Sequence, residues 1–121
     1  MQRPRRRRAP GFDERVAERV ADTMFALSTP SRVQIIGCLI DGPHTVSELM
    51  EELDMEQSAI SHQLRVLRDH SLVKADWVGR THVYSLYDEH VVTLLEEAVR
   101  HVEQRSKGKR LGARSSRSAR G

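Results

Sequence analysis

The sequence predicts a mainly α-helical domain with one small β-hairpin, in the order α-α-α-α-β-β-α. Apolar residues recur every three or four positions in five segments, a spacing that is typical of amphipathic helices. After the fourth segment, two short runs of strand-forming residues flank Val78-Gly79-Arg80, which is a hairpin signal. These two patterns and their order along the chain predict the fold class.

The first two helices are delimited by residues that break or cap helices. Proline and glycine exclude a helix from the N-terminal arm, residues 1–11, and an apolar helical stripe follows over residues 12–27. Thr29 and Pro30 then end this helix and begin the second one, with Thr29 as the cap and Pro30 in the first helical position. The second helix is almost fully apolar, and Asp-Gly-Pro at residues 41–43 stops it.

The third and fourth helices form a closely connected pair. Thr45 and Glu48 fit a capping box that opens the third helix, and the fourth spans about residues 57–70. The turn over residues 54–56 is too short for the two helices to stack antiparallel. This geometry suits a helix-turn-helix, whose second helix enters the major groove of DNA.

A hairpin and a last helix complete the domain. The hairpin has strands at about residues 72–77 and 81–86, and the last helix starts near Asp88. We therefore predict a winged helix-turn-helix over residues 12–105. A domain of this size buries a limited core, so dimerisation would be a natural way to bury more apolar surface.

Basic residues are concentrated at the two ends of the chain. The arm, residues 1–11, and the tail, residues 106–121, carry eleven of the 20 lysines and arginines and no acidic residue. The segment between them holds the other nine and all 17 acidic residues, so it is acidic although the whole chain has a net charge of +3. We expect both ends to be disordered and to contact polyanions without sequence preference.

Several classes of protein are disfavoured by what the sequence lacks. No stretch approaches the roughly 20 apolar residues that cross a bilayer, and no apolar run follows the N-terminal arginines as in a signal peptide. We therefore expect a cytoplasmic protein without a membrane partner. The single cysteine, Cys38, excludes an intramolecular disulfide and a multi-cysteine metal site, and we expect it to be buried packing. With no nucleophile–base pair, phosphate-cradling glycine loop or paired buried carboxylates, we do not expect an enzyme.

The outer face of the fourth helix carries the candidate DNA-binding residues. Ile60, Leu64 and Leu67 form the stripe that faces the core, whereas the other side offers short donors and acceptors and few acids. That pattern alone also fits an ordinary solvated face, but Arg80 at the hairpin tip favours DNA, because a wing brings such a residue to phosphates or the minor groove. The candidate DNA-binding residues are Gln57, Ser58, Ser61, His62, Gln63, Arg65 and Arg80.

These segments resemble the ArsR/SmtB family of metal-responsive repressors. The resemblance rests on LSTPSR at residues 27–32, QSAISHQLRVLR at residues 57–68 and GRTHVYSL at residues 79–86, and it extends over about residues 13–105. Within the family the chain looks most similar to the nickel- and cobalt-responsive branch. The resemblance implies a homodimer, built largely by the first and last helices, that binds an inverted-repeat operator in double-stranded DNA and releases it when metal binds.

The resemblance also implies an effector site on the last helix. The family pattern is Asp-x-His, a second His eleven residues later, and Glu or His three residues further on, where this chain has Asp88, His90, His101 and Gln104. Eleven residues span about 16 Å, so His90 and His101 share a helix face but meet only across an antiparallel pair of helices from two copies. Imidazole and carboxylate suit nickel, zinc or cobalt, and we favour nickel.

Gln104 departs from the family pattern, since an amide oxygen is a weaker ligand than a carboxylate or an imidazole. The alternative is an ArsR-type regulator without direct metal sensing, controlled by a partner protein or another signal and able to activate transcription. Asp88 is then only the N-cap of the last helix.

The remaining candidate ligands and aromatic residues are assigned to structure. Met50 and Glu52 stand where the family has a cysteine pair on the third helix, which disfavours metal sensing through thiolates. We expect Trp77 to pack within the wing or at its hinge. The other histidines are expected at surface or wing positions rather than as ligands: His44, His70 and His82.

Overall fold

Within the described part of the chain, which comprises the backbone of residues 11–112 and the side chains of residues 11–106, the computed structural model has five helices and one two-stranded hairpin. The predicted order is confirmed. The elements are α1 (Glu14–Ala26), α2 (Pro30–Ile40), α3 (Val46–Leu53), α4 (Gln57–Asp69), β1 (Val73–Val78), β2 (Thr81–Leu86) and α5 (Glu89–Gly112).

Polar side chains begin the first three helices where the sequence predicts or allows a cap. The Asp13 carboxylate accepts a hydrogen bond from the backbone N–H of Val16 at the start of α1. Thr29 caps α2, with Pro30 in the first turn. At α3 the predicted capping box is present, because the Thr45 hydroxyl accepts from the N–H of Glu48 and the Glu48 carboxylate accepts from the N–H of Thr45. These bonds satisfy N–H groups that have no partner within the helix.

The core lies where α2, α3 and α4 meet and extends to the hairpin and the start of α5. The α4 side chains Ile60, Leu64 and Leu67 are buried, as their helical spacing predicts. Because these three residues hold one side of α4 against the core, the opposite side faces outward. The largest fully buried side chains are Ile35, Ile36, Leu49, Ile60, Leu64 and Leu67.

A short, well-bonded connection joins α4 to the hairpin. Ser71 adopts a left-handed backbone conformation with φ of 56°, and the N–H of Leu72 donates to the carbonyl of Leu67 over 2.9 Å. Leu72 and the following Val73 are buried, so the base of the hairpin is part of the core. The base of the hairpin is therefore fixed directly to the end of α4.

The two hairpin strands pair antiparallel from Val73 opposite Leu86 to Val78 opposite Thr81. Gly79 and Arg80 form the two-residue connection. Gly79 has φ of 67°, and Arg80 is not among the residues with positive φ. A positive φ at the first of two turn residues is typical of a type II′ turn, in which glycine takes that position.

Several structural predictions need correction. His44 is buried at 9% exposure rather than lying at the surface, because its backbone pairs with Tyr84 of β2 in both directions. Trp77 packs on His82 within the wing, as predicted, although 66% of its surface is exposed. The last helix continues to Gly112, beyond the predicted boundary at residue 105.

The expectations for the two basic ends lie largely outside the described residues, which exclude residues 1–10 and 113–121. In the part that the structure describes, no helix has the length and apolar character needed to cross a membrane.

Candidate nucleic-acid interface and effector site

The outward side of α4 presents most of the predicted DNA-binding residues together. Their side chains are exposed, so they are available to bases or phosphates. Arg68, one turn beyond Arg65, is exposed as well. The members of the predicted set that are exposed on α4 are Gln57, Ser58, Ser61, His62 and Arg65.

Gln63 is placed differently from the rest of the predicted set. Its side chain is half-buried, and its Oε1 accepts a hydrogen bond from Nη1 of Arg32 over 2.9 Å. Arg32, which is 7% exposed, also donates from Nε to the carbonyl of Ala26 over 2.6 Å and from Nη2 to the carbonyl of Phe25 over 3.3 Å. Gln63 thus belongs to a buried link between the end of α1 and α4.

Arg32 was not among the residues that we predicted for the site. The signal for it was a single basic residue within an almost fully apolar helix, because arginine is rarely buried unless its donors are satisfied. Here the partners are carbonyls in the last turn of α1, where the helix dipole favours a positive charge.

A groove of about 670 Å³ separates α4 from the hairpin. Ser61, Arg65 and Arg68 line one side of it and Tyr84 of β2 lines the other, with Asp69 at its edge. Two guanidinium groups face one carboxylate there, so the groove suits a phosphate-bearing ligand. Arg68 and Tyr84 were not among the residues predicted for the site, and the structure places both beside this groove.

Arg80 lies at the tip of the hairpin, and its side chain is exposed. The structure thus presents α4 and a basic hairpin tip on one subunit, which is the arrangement that a winged helix-turn-helix uses to contact a groove and its flanking backbone.

Asp88 performs the capping role at the start of α5. Its Oδ1 accepts from the N–H of His90 over 2.9 Å and from the N–H of Val91 over 3.3 Å. Its Oδ2 lies 3.5 Å from Nδ1 of His90, whose side chain is 95% exposed. Capping therefore leaves a carboxylate oxygen and an imidazole next to each other in solvent.

His101 and Gln104 lie about three turns further along α5, and both side chains are exposed. At 1.5 Å per residue, His90 and His101 are about 16 Å apart along the axis. Among the residues that the structure describes, one subunit brings together no group of three His, Cys, Asp or Glu side chains that could hold a metal. The donors fit nickel, zinc or cobalt by chemical type, but a complete set needs a second copy of α5.

Exposed apolar side chains mark α1 and the middle of α5. Of the α1 residues, all of which the structure describes, Ala26 is the one that is buried. Isolated exposed apolar residues are common, but sets of them along a helix are typical of interaction surfaces. The exposed large apolar residues near or on these helices are Phe12, Val20, Met24, Phe25, Val99 and Val102.

A separate polar cluster joins α2, α3 and the hairpin. His44 bonds through Nδ1 to the carbonyl of Gly42 over 2.7 Å and through Nε2 to Oε2 of Glu52 over 3.0 Å. Burial alone would lower the pKa of His44, but the bonds to Gly42 and Glu52 outweigh it and raise the pKa. The bonds from His44 and from Cys38 lower the pKa of Glu52.

Cys38 is half-buried and packs against the core. Burial first, and then the hydrogen bond to Glu52 and its negative charge, raise the pKa of the Cys38 thiol to about 11. The side chain is thus a protonated thiol at neutral pH.

Comparison with known proteins points to one family. The profile of "Bacterial regulatory protein, arsR family" matches residues 29–75, which run from the cap of α2 into β1. The HTH-type transcriptional regulator NmtR of Mycobacterium tuberculosis is 52% identical over 99 residues, which cover 82% of each chain. A transcriptional repressor SmtB homolog of Synechocystis sp. is 39% identical over 88 residues, or 73% of this chain and 67% of that protein.

Solved structures agree with this assignment. The solution structure of apo-NmtR matches with a TM-score of 0.67 and 50% identity, covering 86% of this chain and 87% of that one. The crystal structure of M. tuberculosis Rv0081 matches with a TM-score of 0.72 and 30% identity, covering 83% and 100%. The chain therefore belongs to the ArsR family of bacterial regulatory proteins and is a DNA-binding transcriptional regulator with a winged helix-turn-helix fold.

Proposed function

We propose that this regulator is a homodimeric repressor that binds an inverted-repeat operator and releases it when a divalent transition metal binds to α5. The observation that carries the DNA-binding part is the orientation of α4, whose apolar stripe is buried while its serines and arginines face solvent. Because its proposed ligand is operator DNA, we expect it to act in the cytoplasm.

Contacts to DNA are assigned by chemistry and position. If α4 enters the major groove, its exposed side chains meet base edges and phosphates, and we assign these contacts to Gln57, Ser58, Ser61, His62 and Arg65. We assign Arg80 to the neighbouring DNA backbone. Gln63 is assigned to holding α4 against Arg32, because its carbonyl oxygen is already occupied.

Substitutions on α4 test this assignment. Ser61→Ala and Arg65→Ala should each weaken binding to the operator by about 1–3 kcal/mol if they contact bases, with a smaller loss on random DNA. Fluorescence anisotropy with a duplex from the upstream region of the protein's own gene and with a shuffled duplex measures both. Arg15→Ala, which removes an exposed arginine from α1, is the matched control and should bind DNA as the wild type does. Equal losses on both duplexes would assign the two residues to phosphates alone.

The dimer is supported by the apolar side chains exposed on α1 and α5. Antiparallel pairing of two α5 helices would cover Val99 and Val102 and bring His90 of one copy towards His101 of the other. Met24→Glu and Val102→Glu should weaken dimerisation, because each places a charge on a surface that becomes buried. Sedimentation equilibrium measures this, and a wild-type chain that remains monomeric at micromolar concentration would contradict the proposal.

The proposed effector is nickel, with zinc or cobalt as the alternative ions, held by Asp88 and His90 of one copy and His101 and Gln104 of the other. A bound ion would add positive charge between two α5 helices and so favour one arrangement of the dimer over another. Asp88 can bind an ion through Oδ2 without losing its capping bonds, because those bonds are made by Oδ1.

Calorimetric titration of the full chain with nickel and with zinc tests the effector site. His90→Ala and His101→Ala should each lower the affinity at least tenfold, and Gln104→His should raise it, because an imidazole is a stronger ligand than an amide. His62→Ala removes an exposed histidine from α4 and should leave metal binding unchanged. Micromolar or weaker binding that the α5 variants do not alter would favour the second candidate, a regulator controlled by a partner protein or another signal.

A further inference from the structure

The wing carries a strip of aromatic side chains that the functions assigned above do not use. Trp77 of β1 and His82 of β2 are cross-strand partners, and their ring centroids lie 3.9 Å apart. The ring of Tyr84, two residues further along β2, meets that of His82 edge-on at 6.0 Å. Because side chains alternate along a strand, Trp77, His82 and Tyr84 share one face of the hairpin.

The strip is covered inside the subunit at one end and open at the other. His82 and Tyr84 are half-buried, whereas Trp77 is 66% exposed. Stacking on His82 holds the indole in place, and its outer surface is left in water. A fixed, exposed indole on a hairpin stabilises little within its own subunit, so its position favours contact with a ligand.

The strip is continuous with the proposed DNA-binding surface. Tyr84 lines the groove between α4 and the hairpin together with Ser61, Arg65 and Arg68. From that groove the strip leads to Trp77, two residues before the turn, beside Arg80 at the tip. Because Tyr84 borders the groove beside α4 and Trp77 lies near Arg80 in the hairpin, the strip connects the two proposed DNA contacts.

Charge on the hairpin also distinguishes its two faces. In the strand register Lys74 pairs with Ser85 and Asp76 with Val83, so one basic and one acidic side chain lie on the face opposite Trp77. The strip face of the two described strands holds no carboxylate, so the hairpin itself does not repel a phosphate backbone on this side. Val78, which is 64% exposed, lies on the same face as Asp76 and away from the strip.

We propose that the Trp77–His82 stack is a DNA contact that packs against the sugar–phosphate backbone at the minor-groove edge beside the groove read by α4. The contact rests on the proposed binding of DNA through α4. It is chiefly apolar, since the indole covers deoxyribose surface and its N–H can donate to a phosphate oxygen. It differs in kind from the contact assigned to Arg80, which is a charge on phosphate.

The test uses the full chain, in which Trp77 is the one tryptophan, and a mixed-sequence 30-base-pair duplex at low salt. Binding should shift the tryptophan emission and protect it from acrylamide. Trp77→Ala should lower the affinity roughly tenfold, as expected when a large part of an indole loses its burial, with the salt dependence unchanged. Trp77→Phe should retain most of the affinity. Val78→Ala, the matched control on the other face, should change it less than twofold.

Four outcomes separate this inference from the proposed function. Wild-type affinity in Trp77→Ala, on a duplex that the wild type binds, would overturn the inference and leave binding through α4 intact. A Trp77 that stays open to acrylamide in the complex would overturn it as well. Emission that depends on protein concentration without DNA would assign the strip to contact between copies instead. No binding of wild type to any duplex would overturn both proposals.

Discussion

Replacement of Arg32 by alanine tests the buried link between α1, α2 and α4. The guanidinium makes three hydrogen bonds, to the carbonyls of Ala26 and Phe25 and to the side chain of Gln63. Each hydrogen bond to a charged group stabilises a protein by about 1.5–3 kcal/mol when measured singly. The sum of these three values is an upper bound on the stability lost in Arg32→Ala. The substitution also removes the cost of burying a charge that, among the described residues, pairs with no carboxylate.

The carbonyl of Ala26 sets the lower bound on the stability lost in Arg32→Ala. Ala26 is fully buried, so water does not readily replace the guanidinium there, and an unsatisfied buried acceptor costs about 1–3 kcal/mol. Loss of the packed side-chain methylenes adds to this cost. We therefore expect Arg32→Ala to lower the free energy of unfolding by about 2–4 kcal/mol, and Gln63→Ala, which keeps both carbonyl bonds, by about 1 kcal/mol.

Urea denaturation followed by circular dichroism, at one fixed protein concentration, measures both changes. Concentration must be fixed because dimerisation contributes to the apparent stability. Arg15→Ala removes an exposed arginine and should stay within about 0.5 kcal/mol of wild type. A loss in Arg32→Ala below about 1 kcal/mol, or no larger than that in Arg15→Ala, would refute the reasoning that the buried bonds stabilise the fold.

Three further predictions follow from local contacts. Thr45→Ala removes one bond of the capping box at α3 and should cost about 1 kcal/mol in urea denaturation, whereas no loss would contradict a stabilising cap. Because the pKa of His44 is raised and that of Glu52 is lowered, their pairing should stabilise the protein most between the ordinary values of 4.5 and 6.5 and fade as the pH rises through the raised pKa of His44. The loss of stability in Glu52→Gln should then be larger at pH near 5.5 than near 8.5, and a loss independent of pH would speak against it. Cys38, with its pKa raised to about 11, should react with iodoacetamide at neutral pH far more slowly than free cysteine, and equal rates would contradict the burial described.

Local sequence signals predicted the helices well because the bonds that delimit them are local. The caps at Thr29 and Thr45 join residues three positions apart, and the buried stripe of α4 repeats within one helix. Such features depend on short-range sterics and burial, which the order of residues displays directly.

The errors arose where distant residues meet. Helix geometry alone did not indicate that Gln63 is half-buried and accepts a hydrogen bond from Arg32, which is 31 positions away. His44 looked like a surface residue, but its backbone pairs with Tyr84, 40 positions away. No periodic pattern reports pairings of this kind.

The end of α5 was misjudged for a different reason. The tail beyond residue 105 lacks apolar residues at core spacing, which favours an unstructured segment, yet the helix continues to Gly112. Extending an existing helix costs little, because nucleation is the unfavourable step. The candidate effector residues could be named from their spacing in the sequence. Their arrangement around one ion would depend on how two copies of α5 pack, and the sequence of one chain does not give that packing.

The tight connection between α4 and the hairpin has a consequence for regulation. Three residues separate the two elements, and Leu72 and Val73 anchor the connection in the core, so the reading helix and the wing behave as one rigid body. In the proposed dimer, we therefore expect an effector to leave the shape of each α4–hairpin unit unchanged. It can act by changing the spacing and angle between the two α4–hairpin units, as in rigid-body allosteric switches. The two α4 helices then no longer match successive turns of the double helix.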